Sequence, residues 1–326
     1  MLNQRPRILR ASAAIRSLVA ETQLHPSNLI APLFIVEGEN IEEEIPSLPG
    51  YYRRSLDKTL DEVAVLWNMG IKAVLLFIKC KDELKDNEGI EALNSNGLMQ
   101  RSIRGIKKNI PEMVVMTDVA LDPFSSYGHD GIVEGNQIVN DRTVDVLAKM
   151  SVSHAEAGAD FVAPSDMMDG RIGAIRKKLE EGGFHNTGIM SYGAKYASCF
   201  YGPFRDALDS APGFGDKKTY QMDCSNRTEA IREVLLDENE GADIVMVKPA
   251  LSYLDIIREV KNNVRIPVSA YHVSGEYSMI KAAAQRGWLN EDEAIWETTM
   301  SIKRAGADLI ATYFAKDIVR LINKMK

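Results

Sequence analysis

Apolar residues fall into two kinds of stretch along this chain: short continuous runs, and longer segments in which they recur every three or four positions. Continuous runs are typical of strands buried on both faces, whereas the longer periodicity is typical of amphipathic helices. Helical segments separate most of the runs, which predicts a regular alternation of strand and helix. The predicted strands cover residues 29–36, 73–78, 114–121, 161–164, 188–192, 244–247, 266–270 and 309–313.

A short phrase recurs where a predicted helix ends and a strand begins. Gly-Ala-Asp occurs with its aspartate at Asp160, Asp243 and Asp308, and each copy precedes an apolar run. Glycine at this place can adopt the left-handed conformation that ends a helix. Residues 68–70 (Asn-Met-Gly) form a looser fourth copy. The repetition indicates a single architecture built from similar helix-to-strand joints.

The number of strand and helix units decides the predicted fold class. Eight such units in 326 residues favour a (β/α)8 TIM barrel, with one catalytic domain over residues 25–326. A doubly wound sheet is the alternative, but it would require a glycine-rich turn after the first strand. Residues 36–40 (Val-Glu-Gly-Glu-Asn) contain a single glycine, which favours the barrel.

Two connections are longer than ordinary loops. One covers residues 122–135 after the third predicted strand, and the other covers residues 201–223 after the fifth. Both follow the carboxyl ends of strands, where a barrel of this type builds its active site. The second connection is rich in glycine, proline and charged residues, and we interpret it as a lid.

The charge balance excludes some classes of partner. The formal net charge is −7, which gives no general positive field for binding nucleic acid. No apolar run approaches the roughly 20 residues that a membrane-spanning helix requires. Residues 1–24 carry a positive charge but lack the apolar core of a signal peptide, so we do not expect export. A transit sequence is an alternative, but the segment runs directly into a helical pattern, and we expect an ordered arm of a cytoplasmic protein. The basic residues of this arm are Arg5, Arg7, Arg10 and Arg16, against a single acidic residue, Glu21.

The cysteines do not suggest a disulfide framework. Cys80, Cys199 and Cys224 are odd in number and far apart in sequence, so a local zinc site is not indicated either. We expect reduced thiols in the core or in loops of an intracellular protein.

Two lysines at strand ends carry the main chemical signal. Lys248 closes the apolar run 244–247, and Lys195 follows the run 188–192. A single lysine in this place could extend to solvent at the barrel rim. On neighbouring strands about 4.8 Å apart, two ammonium groups repel each other and are also desolvated, and both effects lower a lysine pKa. A neutral amine attacks carbonyl groups, so the pair predicts Schiff-base chemistry.

Four further residues are candidates for binding an anionic substrate. Arg205 and Lys217 lie in the predicted lid, and Ser274 and Tyr313 lie near the ends of the last two strands. A closing lid could bring cations onto one carboxylate, and the hydroxyl groups could hydrogen-bond another. Each residue also has a simpler interpretation: the cations as solvated loop charges, Ser274 as a helix N-cap and Tyr313 as part of the core.

The regions around both lysines resemble one enzyme family. Residues 190–198 (Met-Ser-Tyr-Gly-Ala-Lys-Tyr-Ala-Ser), with 200–205 (Phe-Tyr-Gly-Pro-Phe-Arg), resemble the first lysine region of 5-aminolevulinate dehydratases. Residues 245–250 (Val-Met-Val-Lys-Pro-Ala) resemble the second. The segments 219–223 and 271–277 fit as well, as does the N-terminal run from Arg5 to Phe34, so the resemblance covers nearly the whole chain.

The resemblance implies an enzyme that condenses two molecules of 5-aminolevulinate into porphobilinogen with the loss of two waters, in tetrapyrrole synthesis. Lys248 matches the lysine that forms the imine with the first substrate, and Lys195 the lysine for the second. By the same match, the first substrate's carboxylate would be bound by Ser274 and Tyr313, and the second substrate's carboxylate by Arg205 and Lys217.

The positions that hold zinc in some members of the family differ in this chain. Three cysteines of those members are matched by Ala120, Asp122 and Asp130. Thiolates suit zinc, whereas carboxylates suit hard cations, so we expect no active-site zinc. Asp118 and Asp122 are instead candidates for recognising the second substrate's ammonium, with solvated loop aspartates as the alternative.

The resemblance also implies a remote metal site and an oligomer. Glu233 matches a glutamate that binds an allosteric Mg²⁺, largely through water, in the aspartate-type branch of the family. From the sequence itself, Glu233 is an ordinary helix glutamate. The N-terminal arm resembles a segment that wraps a neighbouring subunit, which implies a homo-octamer.

Two rival functions remain open at the level of the residues. A class I aldolase also uses a Schiff-base lysine on a TIM barrel, but it needs one such lysine and usually a phosphate site. A non-catalytic barrel that serves as a scaffold would gain nothing from two buried lysines, whose burial would only be a cost.

Overall fold

The computed structural model describes residues 2–209 and 212–324. Its centre is a closed barrel of eight parallel strands, in which the last strand pairs with the first. The strands of the chain are β1 (Leu29–Val36), β2 (Glu42–Glu44), β3 (Tyr52–Arg54), β4 (Ala73–Lys79), β5 (Val114–Val119), β6 (Val133–Glu134), β7 (Gln137–Ile138), β8 (Phe161–Pro164), β9 (Gly188–Lys195), β10 (Ile244–Lys248), β11 (Val268–His272) and β12 (Leu309–Thr312). The barrel order is β1, β4, β5, β8, β9, β10, β11, β12.

Helices cover the outside of the barrel, and four short strands form two hairpins outside the eight barrel strands. Strands β2 and β3 form a hairpin that extends the sheet beside β1, and β6 and β7 form a separate hairpin. None of the described helices is both long enough and apolar enough to cross a membrane. The helices are α1 (Ala13–Leu18), α2 (Leu56–Asn68), α3 (Leu98–Asn109), α4 (Asn140–Ala157), α5 (Arg171–Glu181), α6 (Gly202–Leu208), α7 (Thr228–Glu240), α8 (Leu254–Asn263), α9 (Ser274–Gln285), α10 (Glu291–Ala305) and α11 (Ala315–Lys324).

The predicted barrel is confirmed, and all eight predicted runs contribute a barrel strand. The largest error concerns β9, which continues to Lys195 instead of ending at residue 192. Inside β9, Gly193 allows α7 to approach, because a Cβ at Gly193 would lie 2.9 Å from Asp237 Oδ2 and 3.0 Å from Val234 Cγ1.

The recurrent Gly-Ala-Asp phrase forms a repeated joint at the amino end of the barrel. The carboxylate of Asp160 accepts a hydrogen bond from Val115 N at the start of β5, at 2.8 Å. Asp243 accepts the same bond from Ile189 N in β9, at 2.7 Å, and Asp308 from Val268 N in β11, at 2.8 Å. A basic side chain from a surrounding helix pairs with each aspartate: Lys107, Arg176 and Lys261. The phrase therefore links each new strand to the strand before it.

The N-terminal arm lies outside this core. It contains a short 3-10 helix (Pro6–Arg10) and α1, and neither holds a buried residue. Its apolar side chains are largely exposed, with Leu18 84% and Ile8 61% accessible. Burial begins at Leu24, immediately before the barrel.

Candidate active site

The two candidate lysines meet at the carboxyl end of the barrel. Lys195 is the last residue of β9, Lys248 is the last residue of β10, and the two are register partners in neighbouring parallel strands. Their side chains are almost fully buried, at 6% and 5% exposure. The predicted juxtaposition of two buried lysines is therefore confirmed.

Aromatic rings surround the amine of Lys248. Its Nζ lies 4.7 Å from the ring centroid of Tyr271, 4.9 Å from that of Phe204, and 5.1 Å from those of Tyr192 and Tyr201. These rings remove water from the amine. Burial, followed by the positive charge of Lys195, lowers the pKa of Lys248 to about 7. A substantial fraction of Lys248 is therefore a neutral amine near neutral pH.

A carboxylate and a carbonyl face Lys195 instead. Its Nζ lies 3.2 Å from Asp130 Oδ2 and donates a hydrogen bond to the carbonyl oxygen of Ser165. Asp130 is fully buried, which alone would raise its pKa, but Lys195 and Lys217 outweigh this effect and lower the pKa of Asp130 to about 2. Lys195 thus belongs to a buried ion cluster.

Lys217 joins the same cluster from the lid segment, residues 201–223, of which residues 210 and 211 lie outside the described residues. Its Nζ contacts Asp130 Oδ1 at 2.6 Å and Asp122 Oδ2 at 3.3 Å. Lys217 is only 6% exposed. The alternative interpretation of Lys217 as a solvated loop charge is therefore wrong. Burial, then the charge of Asp122, raises the pKa of nearby Asp118 to about 7. Asp118 and Asp122 are therefore buried near the two lysines, and their role in binding an ammonium group stays a prediction.

The remaining substrate-binding candidates lie on the Lys248 side or on the lid. The hydroxyl of Tyr313, just beyond β12, hydrogen-bonds that of Tyr271 at 3.1 Å. Ser274 is the first residue of α9 rather than its N-cap, and its hydroxyl accepts from Phe204 N at 3.0 Å and donates to Phe200 O at 3.2 Å. Ser274 thus connects the barrel rim to the start of the lid.

Arg205 lies in α6, within the lid segment, and is half-buried. Burial raises the pKa of Tyr201 and Tyr220, and the nearby guanidinium of Arg205 opposes this increase. The structure therefore places Arg205 beside the aromatic and lid residues of the site. It shows no ion pair of Arg205 within the described residues.

Glu233 lies elsewhere, on α7, in a cleft of about 890 Å³ that neither Lys195 nor Lys248 lines. The carboxylate is half-buried, and burial, followed by the negative charge of Asp237, raises the pKa of Glu233. A cation would relieve this repulsion. Five of the residues that line the cleft carry carboxylates: Asp169, Asp216, Asp223, Glu229 and Glu233.

Comparison with known proteins decides the family. The family model for delta-aminolevulinic acid dehydratase matches residues 3–321. The chain is 52% identical over 323 residues to the delta-aminolevulinic acid dehydratase of Halalkalibacterium halodurans, covering 99% of this chain and 98% of the relative. It is also 52% identical over 316 residues to that of Bacillus subtilis, covering 97% of each chain. The chain belongs to the delta-aminolevulinic acid dehydratase family.

A solved structure supports the same assignment. The delta-aminolevulinic acid dehydratase of Toxoplasma gondii, crystallised with the reaction product porphobilinogen, superposes with a TM-score of 0.96 at 50% identity, covering 98% of this chain and 91% of that one. The chain accordingly has the activity of the dehydratase family, porphobilinogen synthase, and is a lyase. This activity replaces the two alternative functions, a class I aldolase and a non-catalytic scaffold.

Two candidate functional residues were not singled out from the sequence: Asp130, beside the lysines, and Gln221, in the cleft that Glu233 also lines. Asp130 was considered only as a position that other members use for zinc, yet it contacts both Lys195 and Lys217. Gln221 is 4% exposed, and its Oε1 has no hydrogen-bond partner in the described part of the chain. A buried amide oxygen without a partner is costly, so Gln221 is suited to binding a ligand. Its place in the segment 219–223, which resembles the family, was the available signal.

Proposed function

We propose that the chain makes porphobilinogen from two molecules of 5-aminolevulinate through a Schiff base on Lys248 and a second on Lys195. The supporting observation is that the two buried lysines are register partners with different surroundings. Four rings surround the Lys248 amine, and its pKa is about 7, so a neutral nucleophile is present for the first attack.

The first imine forms when the Lys248 amine attacks the ketone carbon of the first substrate. The carbonyl oxygen leaves as water, and the aromatic rings exclude bulk water from the product. The second substrate reacts in the same way with Lys195, after Lys195 has given up a proton. A protonated imine withdraws electrons, so the adjacent carbon of that substrate can lose a proton and act as a nucleophile. The two ketone oxygens account for both waters that are lost. Forming the carbon–carbon bond and the carbon–nitrogen bond between the substrates then displaces the two lysine amines, and loss of protons gives the pyrrole.

The carboxylates of the two substrates are bound on opposite sides in this proposal. Tyr313 and Ser274 lie near Lys248 and bind the first, and Arg205 and Lys217 bring charge from the lid to the second. Lys217 now pairs with Asp122 and Asp130, so it must exchange one carboxylate partner for another when substrate binds. The substrate ammonium can then replace Lys217 beside Asp122, with Asp118 also near.

Trapping with borohydride tests this assignment directly. The purified protein is incubated with 5-aminolevulinate, the pyrrole is assayed, and a parallel sample is reduced with borohydride and mapped by mass spectrometry. We expect porphobilinogen together with labelled Lys248, and labelled Lys195 at high substrate. Label confined to other lysines would refute the two-imine proposal without affecting the family assignment.

We further propose that the active site works without zinc. The chain has Ala120, Asp122 and Asp130 where zinc-using members have thiolates, and the Lys217 ammonium lies between the two aspartates. A set of two carboxylates with a buried lysine fits a thiophilic metal poorly. A zinc-selective chelator should leave the activity of the purified protein unchanged. Loss of activity that stoichiometric zinc alone restores would refute the proposal.

Glu233 is the proposed binding residue for an allosteric Mg²⁺. Oxygen ligands suit this hard cation, and because it usually keeps several of its waters, one carboxylate such as that of Glu233 can hold it without a cluster of three or more ligands, which the described residues do not contain. The ion would neutralise crowded negative charge on α7 and have no role in the imine chemistry. Because neither lysine lines the cleft, its effect on turnover must pass through protein packing or assembly.

Titrating Mg²⁺ into the wild type and Glu233→Ala tests this site. We expect a few-fold stimulation in the wild type, in line with coupling energies of about 1–3 kcal/mol, and little or none in the variant. Substrate should also tighten Mg²⁺ binding by the same factor, since coupling between two binding sites is reciprocal. Glu238→Ala, on the same helix but away from the cleft, serves as the control. Equal stimulation of all three proteins would show that Glu233 is not the metal ligand.

The N-terminal arm is proposed to bind a neighbouring subunit in a homo-octamer. Its basic residues and exposed apolar side chains have no partner within the described chain that would bury them, as Leu18 and Ile8 show. Sedimentation of the full chain and of a variant lacking residues 2–12 tests this. The full chain should sediment as an octamer and the shortened one as smaller assemblies. An unchanged distribution would refute the role of the arm.

A further inference from the structure

Two of the three cysteines flank the lid segment. Cys199 lies two residues before its start and Cys224 one residue after its end, and both are exposed free thiols. Cys80, in contrast, comes directly after β4 and is buried, and burial raises its pKa to about 11. The two exposed thiols are therefore the reactive ones, and their positions coincide with the two ends of the lid.

The two ends of the lid run side by side. Tyr196 and Met222 form a parallel bridge, in which Ala197 N donates to Met222 O at 2.8 Å and Met222 N donates to Lys195 O at 3.1 Å. The ladder ends at this bridge, since Cys199 begins a 3-10 helix (Cys199–Tyr201) and Cys224 lies in a turn, but the two cysteines follow the bridge closely, three and two residues beyond its paired residues. For strands about 4.8 Å apart with a rise of about 3.3 Å per residue, an offset of one residue corresponds to a Cα separation of about 6 Å. A disulfide requires a Cα separation of roughly 4.4–6.8 Å.

A tyrosine gives an independent indication that the thiols converge. The ring of Tyr196 stacks on that of Tyr253 with centroids 4.4 Å apart, and the Tyr196 hydroxyl donates to Asn226 O, just beyond Cys224, at 2.8 Å. Burial, then the Cys224 thiol and the Cys199 thiol, raises the pKa of Tyr253 to about 12. Both thiols therefore lie close to one tyrosine on one surface of the protein.

We propose that Cys199 and Cys224 are a reversible redox site that closes the base of the lid. In the oxidising direction, one thiol loses its proton and attacks a low-molecular-weight disulfide, forming a mixed disulfide and releasing one thiol. The second cysteine loses its proton and attacks the mixed disulfide at the protein sulfur. This step forms the Cys199–Cys224 bond and releases the second small thiol. A reducing dithiol reverses both steps.

The cross-link would restrain the segment that carries Arg205 and Lys217. Both ends of that segment would be covalently joined, so the lid could no longer separate at its base to admit substrate or release product. The oxidised protein is expected to turn over more slowly, whereas the barrel strands and the two lysines remain unchanged. The effect on turnover rests on the proposed role of the lid, but formation of the cross-link does not.

The test uses the full chain and oxidised glutathione as the probe. The reduced protein is oxidised, alkylated, digested without reduction and mapped by mass spectrometry, with turnover assayed before and after treatment with dithiothreitol. We expect a linked peptide that contains Cys199 and Cys224, and a fall in turnover of about fivefold or more, the lower end of ordinary coupling effects. Dithiothreitol should reverse both changes.

Three variants make the result specific. Cys199→Ser and Cys224→Ser should resist the oxidant, and Cys80→Ser should still form the linked peptide and lose turnover. The proposal is overturned if Cys199 and Cys224 both remain alkylatable after oxidation, or if they join only between chains. It is equally overturned if the linked peptide forms while turnover and protease cleavage within residues 201–223 stay unchanged. A protein that forms the link but makes no porphobilinogen even when reduced would contradict the proposed function instead.

Discussion

Lys248 and Lys195 end neighbouring strands in register, yet their amines lie in opposite chemical surroundings. Rings enclose Lys248 at 4.7–5.1 Å, whereas Lys195 contacts Asp130 and the carbonyl of Ser165. Tyr192 separates the two, with its ring 5.1 Å from one Nζ and 5.9 Å from the other. The surroundings therefore suit the two lysines to different steps. Lys248 supplies a neutral amine for the first attack, and Lys195, paired with a carboxylate, reacts with the second substrate.

Replacing each lysine should have the largest effects and should distinguish the two roles. Lys248→Ala removes the first nucleophile, and we expect turnover to fall by roughly 10⁴-fold or more, with no imine trapped at Lys195. In Lys195→Ala, turnover should fall by about 10³-fold, but an imine should still be trapped at Lys248. Turnover assays and borohydride mapping measure both. Lys218→Ala, an exposed lid lysine, is the control and should remain active. Trapping at Lys195 in the absence of Lys248 would reverse the proposed order.

Removing the shared carboxylate should have an intermediate effect. Asp130→Asn deprives Lys195 and Lys217 of their common partner, and we expect turnover to fall by about 10²-fold through misplacement of both groups. Urea denaturation should show that the free energy of unfolding falls by about 3 kcal/mol, because two buried ammonium groups lose a partner. The imine at Lys248 should still form. Asp122→Asn is the matched control, since Lys217 is the one ion-pair partner of Asp122 among the described residues. This variant should lose less turnover and less free energy of unfolding than Asp130→Asn. Equal losses in the two variants would mean that the Lys195 contact has no separate role.

The smallest effect concerns pH. Imine formation at Lys248 should rise with pH and level off above about 7, because the amine reacts only after it loses its proton. In Lys195→Ala the neighbouring charge is gone, so the midpoint should move to higher pH. It should nevertheless stay below the ordinary lysine value of about 10.4, since burial is the larger cause of the shift. The rate of borohydride trapping against pH measures both midpoints. An unchanged midpoint would show that Lys195 does not influence the Lys248 amine.

The sequence predicted the parts of the molecule that depend on local pattern. Buried strands and helix ends have short-range signals, so the barrel, its eight strands and the two terminal lysines were all found. The predicted end of β9 was three residues too early, and the packing of Gly193 inside that strand depends on α7, a helix some forty residues later in the chain.

The ion cluster was beyond prediction for a similar reason. Lys195 and Asp130 are 65 residues apart, and Lys217 and Asp122 are 95 apart. Their contacts depend on how two long connections fold over the barrel, and neither connection has a periodic pattern that specifies its path. The aromatic enclosure of Lys248 likewise draws on β9, the lid and β11, so no single stretch of sequence reveals it.

The aspartate joints at the amino end of the barrel bear on how the chain can be built during synthesis. Asp160 binds back to Val115, Asp243 to Ile189 and Asp308 to Val268, so every such bond is made to a strand that has already been translated. Each joint spans only 40–54 residues. A nascent chain can therefore form one strand pair after another as it leaves the ribosome, at the end of the barrel opposite the two lysines.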